Sequence, residues 1–224
     1  MKKVSPNFDR IAGLYRLLEY ISMGRLLEKM RFTFVQRMHH AKKALVLGDG
    51  DGRFTEKLLR ENGVVRVTAI DISTEMLRLM RERCSWAGGR LETVRSDALS
   101  FCQEDSQQYD LVVTHFFLDC LPQSEVDELA ALVALSTEPG AVWVLSEFAI
   151  PRNAMRLPAR LLVRGLYAAF RVMTGLRTSR LPDHANALRR AGFMRMDMQS
   201  RMAGILYAEH WVRQETMDHG CRDT

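Results

Sequence analysis

Ala44-Leu-Val-Leu-Gly-Asp-Gly-Asp-Gly-Arg-Phe54 is the stretch on which the fold turns. An aliphatic run stops in three alternating glycines, Gly48, Gly50 and Gly52, and a helix-like pattern begins at Arg53. That order describes a strand handing a ligand-binding turn to the N-terminus of a helix. Glycine suits the turn because a ligand must lie against bare backbone and because the turn uses dihedrals that side chains resist. Two aspartates, Asp49 and Asp51, stand inside the loop. A dinucleotide pyrophosphate placed there would meet two carboxylates, whereas a ligand carrying an ammonium and a sulfonium would meet partners. Charge therefore points to S-adenosylmethionine and away from a nicotinamide cofactor.

Downstream, strands and helices alternate. Val65–Ile70 reads as a second strand ending at Asp71, and Ser73 or Thr74 can cap a helix running to about Arg83. Leu91–Ser96, ending at Asp97, is a third strand, and Leu111–Thr114, introduced by Asp110, a fourth. A helix from Pro122-Gln-Ser124 through Leu135 leads, by a turn at Glu138-Pro-Gly140, into a fifth strand over Ala141–Phe148. After Leu181-Pro-Asp183 a helix runs to Arg190, Gly192 stops it, and two strands close the chain at about Phe193–Ser200 and Ile205–Val212. Such alternation predicts an α/β fold, a doubly wound, mostly parallel, seven-stranded sheet of the Rossmann-like kind. Ligands of such sheets bind at the carboxyl ends of the strands near the switch in strand order, so Gly48–Gly52, Asp71, Asp97 and Thr114–Asp119 should share one cleft.

Upstream, residues 8–40 are helical in pattern, with Gly24 dividing them in two. Residues 151–183 interrupt the alternation with Leu161, Leu162, Leu166, Phe170 and Met173 on one stripe and Arg160, Arg164 and Arg171 elsewhere on the same helix. Together with the first helices, this insertion is expected to stand over the cleft as a lid. The length of 224 residues, 47% apolar and 26% charged, suits a single domain over 1–224 with a polar tail at 214–224. Cys84, Cys102, Cys120 and Cys221 lack CxxC spacing and read as reduced thiols in a cytoplasmic protein, and no His/Asp/Glu set has metal-ligand spacing. No stretch is apolar enough to cross a bilayer. The net charge of +5 favours anionic partners or simply a solvated basic surface. A basic amphipathic insertion could also rest peripherally on an anionic membrane.

Asp71 follows Gly52 at about the spacing from which an acid accepts from ribose hydroxyls, the alternative being a helix cap. Asp97 can accept from an adenine amino group, or serve as a turn aspartate. The loop, then an acid after strand two, then an acid after strand three, is a far more specific signal than the glycines alone.

With those residues in order, the sequence resembles the class I S-adenosylmethionine-dependent methyltransferases over nearly its whole length. Phe8-Asp-Arg-Ile-Ala12 with Tyr15, Ile70-Asp-Ile-Ser-Thr-Glu-Met-Leu77, Ser146-Glu-Phe148, Ala191-Gly-Phe193 and Gly204-Ile-Leu-Tyr-Ala208 resemble the ubiquinone/menaquinone-biosynthesis C-methyltransferases. The resemblance implies that Tyr15 lies over the donor, that Ile72 belongs to the ribose segment, and that Met76 and Ala98 flank the adenosine. Two departures limit it. Val46 stands where these enzymes carry an acid, which leaves Asp49 to meet the methionine ammonium. Thr114-His-Phe-Phe-Leu-Asp-Cys-Leu121 replaces the quinone enzymes' signature after strand four, so the resemblance reaches the donor pocket and not the acceptor.

For the acceptor, His115 and Asp119 are the polar groups at the right strand end: His115 as base or as a satisfied core histidine, Asp119 as its orienter or as a helix cap. The expected acceptor is a small, apolar molecule, quinone-like, lipid or secondary metabolite. Nucleic acid has little support, because the strand-four segment lacks the Asn-Pro-Pro-aromatic run used on flipped bases. Rival readings are a nicotinamide oxidoreductase, a donor-binding scaffold without catalysis, and an RNA methyltransferase using the basic surface.

Overall fold

The glycine turn does follow a strand. The computed structural model describes residues 24–151, 156, 157, 159–161, 165 and 181–215. Seven strands, β1 (Lys43–Leu47), β2 (Arg66–Asp71), β3 (Leu91–Arg95), β4 (Tyr109–His115), β5 (Thr137–Phe148), β6 (Phe193–Arg201) and β7 (Leu206–Arg213), form one sheet in the order β3-β2-β1-β4-β5-β7-β6. The first five pair in parallel, and β7 runs antiparallel to both neighbours. The described helices are α1 (Gly24–Arg31), α2 (Arg53–Glu61), α3 (Thr74–Arg83), α4 (Ala98–Glu104), α5 (Gln123–Leu135) and α6 (His184–Arg190).

Near-continuous apolar runs such as Ala44–Leu47 and Leu111–Val113 make strands that are buried on both faces, as a parallel sheet requires. One face packs on α1, α2 and Met80 of α3 through Met30, Phe54, Leu58 and Leu59. The other packs on α4, α5 and α6 through Leu99, Leu129, Val133 and Leu188, around Trp143 and Trp211. Register aligns the functional ends: Leu47 lies opposite Ile70 on one side and Thr114 on the other. Strand order reverses between β1 and β4, so the carboxyl end of β1 opens onto the switch crevice.

Three local features differ from expectation. A helix, α4, lies between β3 and β4, where its seven residues are too few to show a period. The turn expected at Glu138-Pro-Gly140 is an irregularity within β5, which starts at Thr137; Gly140, at φ +82°, lets the strand bulge without breaking. Asp110 lies inside β4 and accepts from the amides of Lys42 and Lys43 at 2.8 and 3.0 Å, anchoring the start of β1. The expected first helix with Tyr15, and most of the lid insertion, fall outside the described residues. Of the insertion's apolar stripe only Leu161 is described, and it is 71% exposed, as Leu157 is at 68%. No helix among the described residues is long and apolar enough to cross a membrane.

Candidate functional site

All three glycines of the turn have positive φ, +70° at Gly48, +58° at Gly50 and +79° at Gly52, but their surroundings differ. A Cβ on Gly48 would come within 2.3 Å of Phe117 Cδ2, and one on Gly52 within 2.4 Å of Met80 Cγ. Those two are closed by the protein's own packing. A Cβ on Gly50 would meet only Met76 Sδ, at 3.8 Å, so Gly50 is where bare backbone is left for a ligand.

Of the loop aspartates, Asp51 is turned away from the crevice. Its Oδ2 accepts from Arg83 at 2.8 Å and from Arg53 at 3.3 Å, and its carbonyl accepts from Arg83 Nε at 2.8 Å. The expectation that both loop carboxylates meet a ligand is corrected for Asp51, whose charge is met by arginines from α2 and α3. Asp49 behaves differently. Its Oδ2 accepts from the amide and hydroxyl of Thr55 in the first turn of α2, both at 2.8 Å, whereas its buried Oδ1 has no partner among the described residues. Burial pushes the Asp49 carboxyl up to about 6, against the pull of Arg31 and the Thr55 bonds.

Asp71 ends β2, and its carboxyl accepts from the amides of Ser73 (2.9 Å), Gly50 and Ile72. Gly50 thus ties the glycine turn to the second strand end. Burial outweighs these bonds and holds Asp71 at about 6. Ser73, not Asp71, caps α3 by accepting from the Met76 amide at 3.2 Å. The half-buried Ile72 follows, and Met76 is buried beneath Gly50. Asp97 caps α4, with one oxygen accepting from Leu99 and Ser100 at 3.0 and 3.3 Å. Its exposed position beside buried Ala98 leaves the other oxygen open.

Thr114 does not face the crevice. Its hydroxyl accepts from Trp143 Nε1 at 2.9 Å inside the second core, which leaves its backbone for the expected ligand contact. The opposite face takes His115, by the alternation of a strand. The ring is buried edge-to-face on Phe54, with centroids 4.5 Å apart, and Nδ1 lies 3.0 Å from Ser146 Oγ. Because the Ser146 hydroxyl donates to Met30 O at 3.2 Å, it must accept from Nδ1–H, which leaves His115 Nε2 a buried lone pair without a partner among the described residues. Burial, then the Arg31 charge, holds the imidazole well below its usual range, so it is neutral at pH 7. His115 belongs to the α1 and α2 face with Asp49, packed as the core histidine that was one of its two expected roles. Arg31, buried in α1 with its guanidinium 5.5 Å over the Phe116 ring, acts on both groups.

On the other face at the same strand ends lie Asp119 and a residue that sequence reasoning passed over, Glu147. Asp119 is buried in the 3-10 turn Leu118–Cys120 and does not cap α5, whose N-cap is Pro122. Glu147 Oε1 accepts from the amides of Phe117 (3.3 Å) and Leu118 (2.9 Å), which fixes the chain just after Phe116, itself at φ +54°. The signal that could have found Glu147 is an acid in an otherwise apolar strand end, since a buried carboxylate needs a reason. No group of three or more metal-ligating side chains occurs among the described residues.

A turn of bare backbone, an orphaned carboxylate oxygen beneath it and an amide-held acid on the next strand suit a cationic nucleoside derivative. Residues 44–140 match the family model of the methyltransferase domain. A polyamine aminopropyltransferase of Streptomyces coelicolor is 34% identical over 80 residues, 32% of this chain and 15% of the relative. The chain spans less than half the length of the curated relatives it matches, 41% in the case of the Serratia proteamaculans aminopropyltransferase. Among solved structures, an O-methyltransferase family protein from Burkholderia thailandensis superposes with a TM-score of 0.67 at 18% identity, over 92% of this chain and 60% of that one. The N-methyltransferase NodS from Bradyrhizobium japonicum, in complex with S-adenosyl-L-homocysteine, gives 0.62 at 17% identity over 84% and 88%. The fold is the Rossmann-like methyltransferase fold.

Proposed function

We propose that this protein is an S-adenosylmethionine-dependent methyltransferase acting on a small molecule with an apolar body. The observation that carries the reading is Asp49 Oδ1, buried under the Gly48–Gly52 turn without a partner among the described residues. An anion placed there would be repelled, and an ammonium would supply the missing charge. Asp49 holds the ammonium of the donor's amino-acid end and Arg31 its carboxylate. Asp71, with Ile72, accepts from the ribose hydroxyls, and Met76, Ala98 and Asp97 border the adenine. Tyr15 takes the position over the donor that the sequence resemblance gives it. Once bound, the donor supplies an electrophilic methyl carbon on a sulfonium. The protein's part is to orient it, exclude water and present the acceptor in line.

Among methyltransferases the sequence resemblance favours the quinone-biosynthesis C-methyltransferase subgroup for the donor pocket alone. Calorimetric titration with S-adenosyl-L-homocysteine tests the reading. Wild type binds it and ignores NADH, and Asp71→Ala weakens it by about tenfold or more through two lost hydroxyl contacts. Unchanged affinity in Asp71→Ala would remove the ribose assignment. The curated relatives support a second reading, aminopropyl transfer to a polyamine. Mass spectrometry separates the two by the mass gained on an acceptor from cell extract. The exposed Leu157 and Leu161, within a basic insertion, support peripheral contact with anionic membrane. Co-sedimentation with phosphatidylglycerol vesicles but not with phosphatidylcholine vesicles is the expected result.

A further inference from the structure

The alternation of β5 turns Ser146 toward α1 and Glu147 toward the opposite face. There two buried acids come together at the carboxyl ends of β4 and β5: Glu147, 2% exposed, and Asp119, 8% exposed. Glu147 Oε1 is taken by the Phe117 and Leu118 amides, and its buried Oε2 has no partner among the described residues. The ring of Phe117 lies against Gly48, so the carboxyl that holds Phe117 sits beside the donor turn. The neighbouring basic group is His184 of α6, whose Nε2 already lies 3.1 Å from Glu209 Oε2.

We propose that Glu147 and Asp119 form the receiving site for a cationic nitrogen on the acceptor, an ammonium carried by an apolar body. The inference rests on the methyl-transfer reading and names its acceptor class. Burial drives it: two carboxylates out of water strongly disfavour a second negative charge unless a cation arrives. Accordingly burial and the Asp119 charge push Glu147 well above its usual range, and burial pushes Asp119 to about 6. Cys120 Sγ lies 3.5 Å from Asp119 Oδ1 and the His184 ring acts on the same carboxyl, so negative charge on the pair is held out of water. An ammonium offers N–H donors to Glu147 Oε2 and balances that charge. A neutral alcohol of the same shape offers one donor and no charge.

The test uses the full chain saturated with S-adenosyl-L-homocysteine and two probes, benzylammonium and benzyl alcohol, followed by calorimetry. Wild type is expected to prefer benzylammonium by about tenfold or more. In Glu147→Gln, which keeps an oxygen for the Phe117 and Leu118 amides, the preference shrinks to about twofold while product affinity holds. If Glu147→Gln loses product binding, Asp119→Asn carries the same comparison. No preference in wild type, or a preference kept in the variants, overturns the inference. Wild type that fails to bind the product at all overturns the methyl-transfer reading instead.

Discussion

A carboxylate buried under a glycine turn is costly unless something compensates it, and Asp49 and Asp51 are compensated differently. Asp51 is neutralised by Arg83 and Arg53, and Asp49 keeps one oxygen without a partner among the described residues. Substituting each by asparagine should therefore separate stability from binding. Asp49→Asn retains an acceptor for the Thr55 amide and folds, but loses about tenfold or more in product affinity as the ammonium's countercharge disappears. Asp51→Asn leaves Arg83 without its carboxylate and lowers the thermal midpoint, with product affinity unchanged. Equal binding losses in the two variants would sink the distinction. The sequence displays both aspartates side by side and cannot display this difference, because the arginine that decides it lies 32 residues away. The same holds for Thr114, whose partner Trp143 is 29 residues on. The turn at Gly48, Gly50 and Gly52 was legible because the positive φ of each residue is a local backbone property.

Elements announce themselves when a cap or a period is local. Ser73 before Thr74–Arg83 was readable as a cap, and Gly192 as a stop, now at φ +87°. The short α4 was missed because Asp97, its cap, was read only for what it offers a ligand or a turn. Asp97 caps α4 with one oxygen, and the cap is measurable: Asp97→Ala should cost about 1 kcal/mol of stability. Thr114→Val tests the opposite assignment. Removing the hydroxyl strands the buried Trp143 N–H and should cost about 1–3 kcal/mol, with product affinity unaltered. Urea denaturation with calorimetry on both variants checks this pair, and a large affinity loss in Thr114→Val would return that residue to the donor site. Glu147 escaped notice at this scale because a strand such as Ala141–Phe148 is recognised by its apolar residues, and the exception at its end was absorbed into the pattern.

At the scale of the molecule, the sheet order gathers the acids Asp49, Asp71, Asp119 and Glu147 from four different segments onto one rim, and burial raises every one of them. The sign of the consequence is fixed by linkage. A carboxyl raised from 3.8 to about 6 binds more protons folded than unfolded between those values, so its contribution to stability declines as pH rises through that window. A cation that binds only the ionised form reverses this. S-adenosyl-L-homocysteine, which on the proposed reading brings an ammonium to Asp49, should therefore stabilise the protein more at pH 7.5 than at pH 5. Its affinity should fall below about pH 6 by up to about tenfold per pH unit for each carboxyl that must ionise. 5′-Methylthioadenosine keeps the adenine and ribose but lacks the amino-acid end, so its thermal shift should follow Asp71 alone and depend less on pH. Thermal shifts with both ligands from pH 5 to pH 7.5 measure the difference. Identical pH slopes would mean that the ammonium does not meet Asp49, and that the bare oxygen under the glycine turn serves some other partner.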